Sequence, residues 1–352
     1  MCDLGTAKRI QGIEIERTKD GGFSSCQRSY INTIIRRFGL LEAKPAKSPL
    51  DPQTDLANSH CEDKSANRKE YLSMVGSLMY AALGSRPDIA FSVTALSRYN
   101  VQPLEMYAPA AKRVLRYLKT AVGFQIHYRR LPNPITIVGY TDSDWAGNFL
   151  TTRKSVGGCV FGLGNTNVNN ELVISGLIHC QSKSQSVVAL SMLEAEYIAC
   201  SHATRESLWL RRMMKEGAGG MAVKIVDGLV PIGCDNQGAI KLITSGVIRQ
   251  KSKHIDVKYH HVHDEQVKGA VKFHYVTSES NPTDLLTKPL AIPRHEQLLQ
   301  LIGLTPLVSH DSTKENPNTM NEDDLEKEKG GCGSLVKKRG CGSLARKRGC
   351  GR

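Results

Sequence analysis

The 352-residue sequence has no apolar run long enough to cross a bilayer as a helix. Its longest charge-free apolar stretch, residues 71–85, falls short of the ~20 residues that a membrane helix needs. No continuous hydrophobic segment follows the basic residues of the N-terminal sequence MCDLGTAKRIQG, so a secretory signal is not predicted. These absences favour an intracellular protein without a membrane partner, and they leave cytoplasm and nucleus equally open.

Close cysteine pairs are also missing from the body of the chain. Seven of the ten cysteines are scattered before residue 330, and none forms the C-x-x-C pair that would indicate a zinc or redox motif. In a reducing compartment we interpret them as small buried hydrophobic residues. The other three fall in a terminal repeat, GCGSLVKKR and GCGSLARKR, which is too short for a solenoid, so residues 306–352 are predicted to be disordered.

The net charge of +13 is unevenly distributed. Residues 331–352 contain seven Lys or Arg and no acid, which leaves 40 basic and 34 acidic groups before them, a net charge of +6. A mildly basic body permits a polyanionic partner without requiring one. For the tail, a solvated run of charge is favoured over nucleic-acid binding or nuclear import.

The first sixty residues resemble the middle of a domain. QGIEIER alternates apolar and polar residues as a strand does, KDGG supplies turn residues, and FSSCQ can return as a second strand. A helix is predicted next, because Ile31, Ile34, Ile35 and Phe38 recur at helical spacing. One hairpin and one helix cannot close a core, so the start of this domain is expected to be missing.

Two further regions follow. Residues 68–120 carry apolar stripes at helical spacing, which predict a helical subdomain whose side chains serve packing. Beyond LPNP, predicted strands alternate with helices: ITIVGYTDSDW, SVGGCVFGLG, a helical stretch over 187–215, IVDGLVPIGCD, NQGAIKLI and KGAVKFHYVTS. This alternation predicts a mixed α/β domain with acids at its strand ends, where ligands usually bind.

Four elements of that domain offer carboxylates: Asp142 and Asp144 after the first strand, Glu194 and Glu196 in the long helix, Asp235 after a later strand, and Asp284 at the start of the last helix. Oxygen ligands from several elements suit a pair of Mg²⁺ ions, although acids at such positions are common without a metal. Glu194 and Glu196 lie ~200° apart around the helix, so only one can face the site, and periodicity does not choose between them. Asp142 and Asp144 share one face of the strand.

A series of motifs in the sequence indicates a family. The segments YLSMVGSLMYAALGSRPDIAFSVTALSRY, VLRYLK, GYTDSDWAGN, RKSVGGCVF, SQSVVALSMLEAEYIA, CDNQGAIKL, KHIDVKYHHV and NPTDLLTKPL occur in this order. From about residue 9 to residue 305 the chain thereby resembles the C-terminal part of copia-type LTR-retrotransposon Pol polyproteins. The resemblance implies the end of a reverse transcriptase (a palm and connector remnant over 1–60, a helical thumb or connection over 61–132). An RNase H domain over 133–305 would follow, with a mixed five-stranded sheet and flanking helices.

The resemblance also implies a site and a reaction. It aligns Asp142, Glu196, Asp235 and Asp284 with four carboxylates that hold two Mg²⁺ ions, for which Mn²⁺ can substitute, and that cleave the RNA of RNA–DNA hybrids. It chooses Glu196 over Glu194 and leaves Asp144 as an accessory acid. The loop TSESNPT lacks the histidine that many relatives have there, so water or metal would have to manage proton transfer.

Departures from the family pattern support an alternative. No YxDD-type aspartate pair is present, which predicts that the chain cannot polymerise DNA. The segment NNELVISGLIHCQSKSQS is about ten residues longer than expected, with Cys180 near the place of a usual tryptophan, and Leu193 replaces a polar residue. The insertion could form a loop or could displace the metal site. In the second case the chain would be a catalytically inactive nucleic-acid-binding remnant; an integrase or resolvase on the same fold is a third, less favoured hypothesis.

A basic, histidine-rich segment precedes the last predicted strand. It contains Lys251, Lys253, His254, Lys258, His260, His261 and His263. A zinc site would need a fourth ligand that the sequence does not supply, so phosphate contacts with a hybrid are favoured, in particular through Lys251, Lys253, His254 and Lys258. Trp145 is predicted to pack in the core rather than to stack on substrate.

Overall fold

The computed structural model describes residues 5–54, 56, 64–130, 136–145, 147, 153–167, 171–217, 228–246, 255 and 259–306. All of them belong to one compact unit. Of the tail predicted to be disordered, 306–352, Pro306 belongs to a strand, so the prediction is wrong there, and residues 307–352 lie outside the described residues. Within them, no helix combines the length and the apolarity that a membrane crossing requires.

The N-terminal half begins with the predicted hairpin and helix. Its elements are β1 (Arg9–Ile10), β2 (Ile13–Arg17), β3 (Phe23–Cys26), α1 (Arg28–Arg37), α2 (Arg68–Gly84), α3 (Ala90–Ser97), α4 (Tyr107–Thr120) and β4 (Phe124–Tyr128). The hairpin joins a larger antiparallel sheet in the order β1-β2-β3-β4-β10, where β10 (Leu304–Pro306) comes from the far end of the described chain. Neither β4 nor β10 was predicted, and together they continue the sheet beyond β3.

The predicted helices over 68–120 are present and pack around one core. Its most deeply buried apolar side chains come from α1 to α4 and from the turn between α2 and α3: Ile31, Ile34, Leu78, Ala81, Ile89, Val93, Leu96, Ala111, Val114, Leu115 and Leu118. The turn between α2 and α3 also carries a fully buried ion pair, with Arg86 Nη2 2.6 Å from Asp88 Oδ2. The buried charges of Arg86 and Asp88 therefore compensate each other.

The second half contains a separate mixed sheet. Its elements are β5 (Thr136–Asp144), β6 (Val156–Thr166), β7 (Leu172–Ser184), α5 (Met192–Gly217), β8 (Val230–Cys234), α6 (Gln237–Ser245), α7 (His261–Val267), β9 (Val271–Tyr275), α8 (Asp284–Thr287) and α9 (Ile292–Leu301). The strand order is β7-β6-β5-β8-β9; β5, β6 and β7 pair antiparallel, whereas β5, β8 and β9 pair parallel. The mixed five-stranded sheet with flanking helices that the resemblance implies is confirmed.

The longer segment before SKSQS lies in a strand, not in a loop. Leu172–Ser184 forms β7 and pairs along β6, with register shifts between Phe161 and Gly162 and between Leu163 and Gly164. Such bulges absorb extra residues while the rest of the ladder stays in register. Beyond them β6 keeps a regular pairing with β5, in which Gly158 lies opposite Asp142.

Candidate metal centre

Asp142 lies near the carboxyl end of the central strand β5 and is buried. The Thr287 hydroxyl donates a short hydrogen bond to its Oδ2. Burial raises the pKa of Asp142 to about 7; the charges of Asp284 and Asp235 add to the increase, and Lys288 opposes it. An ionised Asp142 is thus costly in the metal-free protein.

Glu196 faces the same place from the first turns of α5. Its Oε1 accepts a hydrogen bond from the Ser143 backbone N–H at 3.2 Å, and its buried Oε2 has no hydrogen-bond partner among the described residues. Burial first, and then the charges of Asp142 and Asp235, raise the pKa of Glu196 well above its ordinary value. A cation bound here would pair the free Glu196 oxygen and offset the repulsion between the neighbouring carboxylates.

Glu194 has a different task. Its carboxylate accepts the Leu190 N–H at 2.6 Å, while the Ser191 hydroxyl accepts the Glu194 N–H at 3.2 Å. This reciprocal pairing resembles a capping box, which satisfies free N–H groups at the start of a helix. The predicted helical stretch over 187–215 therefore begins later than expected, at Met192.

Asp235 and Asp284 complete the cluster from two other elements. Asp235 follows β8, and its Oδ2 accepts a hydrogen bond from Ser278 Oγ at 2.7 Å. Asp284 is buried, with Lys288 Nζ 2.5 Å from its Oδ1 and Arg294 Nη2 3.0 Å from its Oδ2. The prediction that Asp284 opens the last helix is wrong, because it opens the one-turn helix α8 and α9 follows.

The four predicted carboxylates therefore meet at one end of the mixed sheet. Asp142 lies close enough to Asp284 and Asp235 for their charges to affect its pKa. Oxygen atoms of Glu196 and Asp235 also lie within 4.8 Å of each other and of the Cys234 Sγ. The side chains present fit a divalent cation, because hard oxygen donors from several elements converge and the buried Glu196 Oε2 has no hydrogen-bond partner among the described residues.

Several residues that support the acids were not predicted. Asn281 anchors the start of NPTD by donating from Nδ2 to the Thr141 carbonyl at 3.0 Å. Gln185 Nε2 donates to the Ser143 hydroxyl at 3.1 Å and to the Ala195 carbonyl at 2.8 Å.

Thr287 and Lys288 follow Asp284 by three and four residues. That spacing places side chains on one face of a helical turn, so it was the available signal in the sequence. Burial works against the charge of Lys288, but Asp142, Asp284 and Asp144 outweigh it and raise the Lys288 pKa.

Asp144, which the resemblance implies to be an accessory acid, lies at the end of β5. Burial raises the pKa of Asp144, as does the charge of Asp284, and Lys288 opposes both. The prediction that Trp145 packs in the core is wrong, because this side chain is 45% exposed and its Nε1 donates to the Ala189 carbonyl at 3.1 Å.

The basic segment is described only in part. Lys251, Lys253, His254 and Lys258 lie outside the described residues. His260 Nδ1 lies 2.9 Å from the Tyr197 hydroxyl, and His263 Nδ1 lies 2.6 Å from the Ile243 carbonyl. These two histidines are thus engaged in separate hydrogen bonds.

Stability without metal is expected to fall as pH rises. The folded-state pKa of Asp142 is raised to about 7, so folding favours its protonated form, and this stability is lost between about pH 4 and pH 7 as the group ionises. The shift corresponds to at most about 4 kcal/mol, and Glu196 acts in the same direction. Urea unfolding in a chelating buffer across this window measures the slope. Asp142→Asn should flatten it, and an equally steep slope in that variant would contradict the assignment.

A glycine of β6 is expected to set the position of α8. A Cβ on Gly158 would lie 2.9 Å from both Leu286 Cβ and Thr287 Cγ2, whereas one on the neighbouring Gly157 would meet nothing closer than 3.7 Å. Gly158→Ala should therefore lower the free energy of unfolding by about 1–3 kcal/mol and displace Thr287 from Asp142. Gly157→Ala is the matched control. Chemical denaturation of both variants checks this, and equal losses would contradict it.

Comparisons with known proteins find relatives among transposon polyproteins. The chain is 35% identical over 311 residues to the retrovirus-related Pol polyprotein from transposon TNT 1-94 of Nicotiana tabacum, a match that covers 86% of this chain and 22% of that protein. It is 31% identical over 294 residues to the polyprotein from transposon RE1 of Arabidopsis thaliana, covering 84% and 19%. The chain thus spans about a fifth of the length of these curated relatives.

No family model matches the sequence. Among solved structures, LC11-RNase H1 in complex with an RNA/DNA hybrid is 19% identical, with a TM-score of 0.29; the match covers 43% of this chain and 93% of that one.

Proposed function

The chain belongs to the copia-type family of retrovirus-related Pol polyproteins of transposons, and we propose that its residues 133–305 are a Mg²⁺-dependent endonuclease for the RNA strand of RNA–DNA hybrids. One observation carries the proposal. Four carboxylates from four elements converge at one end of the mixed sheet, and one of them keeps a buried oxygen without a partner among the described residues.

Asp142, Glu196, Asp235 and Asp284 would hold two Mg²⁺ ions. Bound there, the ions would supply positive charge that activates the attacking water and stabilises the leaving oxygen of the phosphodiester. The Thr287 hydroxyl fixes the orientation of Asp142, and the Ser143 N–H fixes that of Glu196. Asn281 ties the segment carrying Asp284 to the strand carrying Asp142. These contacts hold the carboxylates in place before the substrate arrives.

The rest of the chain would bind the hybrid and support the nuclease domain. We assign residues 1–60 and 61–132 to the end of a reverse transcriptase and residues 307–352, which follow β10, to a basic tail. Lys251, Lys253, His254 and Lys258 would contact hybrid phosphates, which sets affinity and salt dependence without sequence preference. The wide minor groove and the 2′-hydroxyls would then be read by shape.

A labelled RNA–DNA hybrid incubated with the purified chain and Mg²⁺ tests the proposal. We expect endonucleolytic cuts in the RNA strand, loss of cutting when the metal is chelated, and no cutting of duplex DNA of the same sequence. An intact hybrid, under conditions where a known ribonuclease H cuts it, would overturn the proposal. Preference for duplex DNA would point instead to an integrase or resolvase activity.

A catalytically inactive nucleic-acid-binding protein is the second candidate. The contacts of Asp284 favour this candidate. Lys288 lies against one carboxylate oxygen of Asp284 and Arg294 against the other, so the two cations neutralise Asp284 without a metal. Salt-sensitive binding of the hybrid without Mg²⁺-dependent cleavage would support this candidate over the nuclease.

A further inference from the structure

Two buried thiols lie directly against the acid cluster. Cys234 ends β8 immediately before Asp235, and Cys200 follows Glu196 by four residues on α5. Both side chains are fully buried, and their Sγ atoms are 3.8 Å apart. Candidate ligand atoms of Glu196, Cys234 and Asp235 all lie within 4.8 Å of one another.

Local geometry explains this juxtaposition. Residues four apart share one face of a helix, so Cys200 points to the same side of α5 as Glu196. At the end of β8 the chain turns, and the Asn236 N–H donates to the Cys234 Sγ at 3.4 Å. The turn brings the neighbouring side chains of Cys234 and Asp235 into one cluster.

We propose that Glu196, Cys234 and Asp235 form a binding site for a borderline divalent cation, Zn²⁺ in particular. Tetrahedral zinc bonds of ~2.1 Å to oxygen and ~2.3 Å to sulfur place oxygen ligands about 3.5 Å apart and sulfur ligands about 3.8 Å apart. The ligand atoms of Glu196, Cys234 and Asp235 lie within 4.8 Å of one another, so each pair has to close by at most about 1.3 Å to reach these separations.

A second observation points to a ligand at the same place. Glu196 belongs to this cluster, and its Oε2 is buried without a hydrogen-bond partner among the described residues. Thiolates favour Zn²⁺ over Mg²⁺, whereas the carboxylates accept either ion. Each thiol that binds the metal releases its proton to the buffer, so the step needs no oxidant.

The site would make Zn²⁺ an inhibitor. Glu196 and Asp235 are two of the four carboxylates assigned above to Mg²⁺, so a zinc ion held also by sulfur excludes the catalytic arrangement. This consequence rests on the proposed function, whereas the binding itself does not.

Cobalt is the probe for the binding, because Co²⁺ occupies zinc sites and absorbs in the near ultraviolet when a thiolate coordinates it. The full chain is used with the three tail cysteines replaced: Cys332→Ser, Cys341→Ser and Cys350→Ser. We expect a sulfur-to-cobalt charge-transfer band that Zn²⁺ removes and excess Mg²⁺ does not. Cys234→Ser should lose the band, and Cys159→Ser, which changes another buried thiol, should keep it.

Each result decides the matter. Absence of the band from the parent chain would overturn the site whether or not Cys234→Ser folds, and so would a band that survives in a folded Cys234→Ser variant. A band without any hybrid cleavage would uphold the site and refute the nuclease; cleavage without a band would do the reverse. If both hold, Cys234→Ser should need at least roughly tenfold more Zn²⁺ for half-inhibition of cleavage, because the loss of even an outer-shell contact commonly weakens metal binding by that factor.

Discussion

Asp142→Asn is expected to lower Mg²⁺-dependent cleavage of an RNA–DNA hybrid by about a hundredfold or more, since the loss of ~3 kcal/mol of charge stabilisation corresponds to two powers of ten in rate. The carboxamide keeps the size of the side chain and removes one negative charge from the proposed metal-binding set. Asp142 sits at the centre of that set, in the middle strand of the sheet and within electrostatic reach of Asp235 and Asp284. Initial cleavage rates at saturating Mg²⁺ measure the effect.

The same substitution should not weaken the metal-free protein above pH 7. Burial and neighbouring acids disfavour the ionised form of Asp142, so removing its charge relieves repulsion. We therefore expect an equal or greater free energy of unfolding in chelator, together with a smaller stabilisation on adding Mg²⁺. A loss of activity that accompanied unfolding would contradict this account.

Asp144→Asn is the matched control. It removes the same charge two residues further along the same strand, from a side chain that is only partly buried. If Asp144 is an accessory acid, cleavage should fall by less than about tenfold. Equal losses in the two variants would mean that the overall charge of this strand end matters, and not a specific contact of Asp142.

The candidate site shows what local sequence can and cannot specify. Helical periodicity alone leaves Glu194 and Glu196 equivalent, yet Ser191 stands three residues before Glu194, and this capping-box spacing was visible in SMLE. The signal assigns Glu194 to the helix start and frees Glu196 for the cluster. Lys288 carried a similar signal, four residues after Asp284. The hydrogen bond from Asn281 to Thr141 carried none, because it joins residues 140 positions apart.

Local sequence likewise predicts some elements of the fold and not others. Buried β5 and amphipathic α6 follow from patterns of apolar residues within each element. β4 and β10 are short strands that pair with each other. Their partners lie nearly 180 positions apart in the sequence, so no local pattern predicts the pairing. The sequence shows the extra residues of β7 but not whether they form a loop or stay in the strand. They stay in the strand through bulges, and the position of a bulge depends on the neighbouring strand as well as on the bulged segment.

Asp88→Ala is expected to cost about 3–5 kcal/mol of unfolding free energy, because it leaves the guanidinium of Arg86 buried without a counter-charge. Both side chains of the pair are fully buried. Tyr117 also donates to Asp88 Oδ2 at 2.6 Å, and Arg86 donates to the Ala121 carbonyl at 2.8 Å. Tyr117→Phe should cost only about 1–2 kcal/mol, since it removes one hydrogen bond and no charge.

A double-mutant cycle separates charge imbalance from lost packing. If the buried charge causes the loss, Arg86→Met combined with Asp88→Ala should be at least ~2 kcal/mol more stable than the sum of the single losses predicts. Additive losses would show instead that packing dominates. The pair lies in the turn that contacts α8, the helix carrying Asp284, so Asp88→Ala should lose hybrid cleavage and folding together. Asp142→Asn should lose cleavage alone, and this contrast distinguishes the chemistry of the site from the stability of the fold around it.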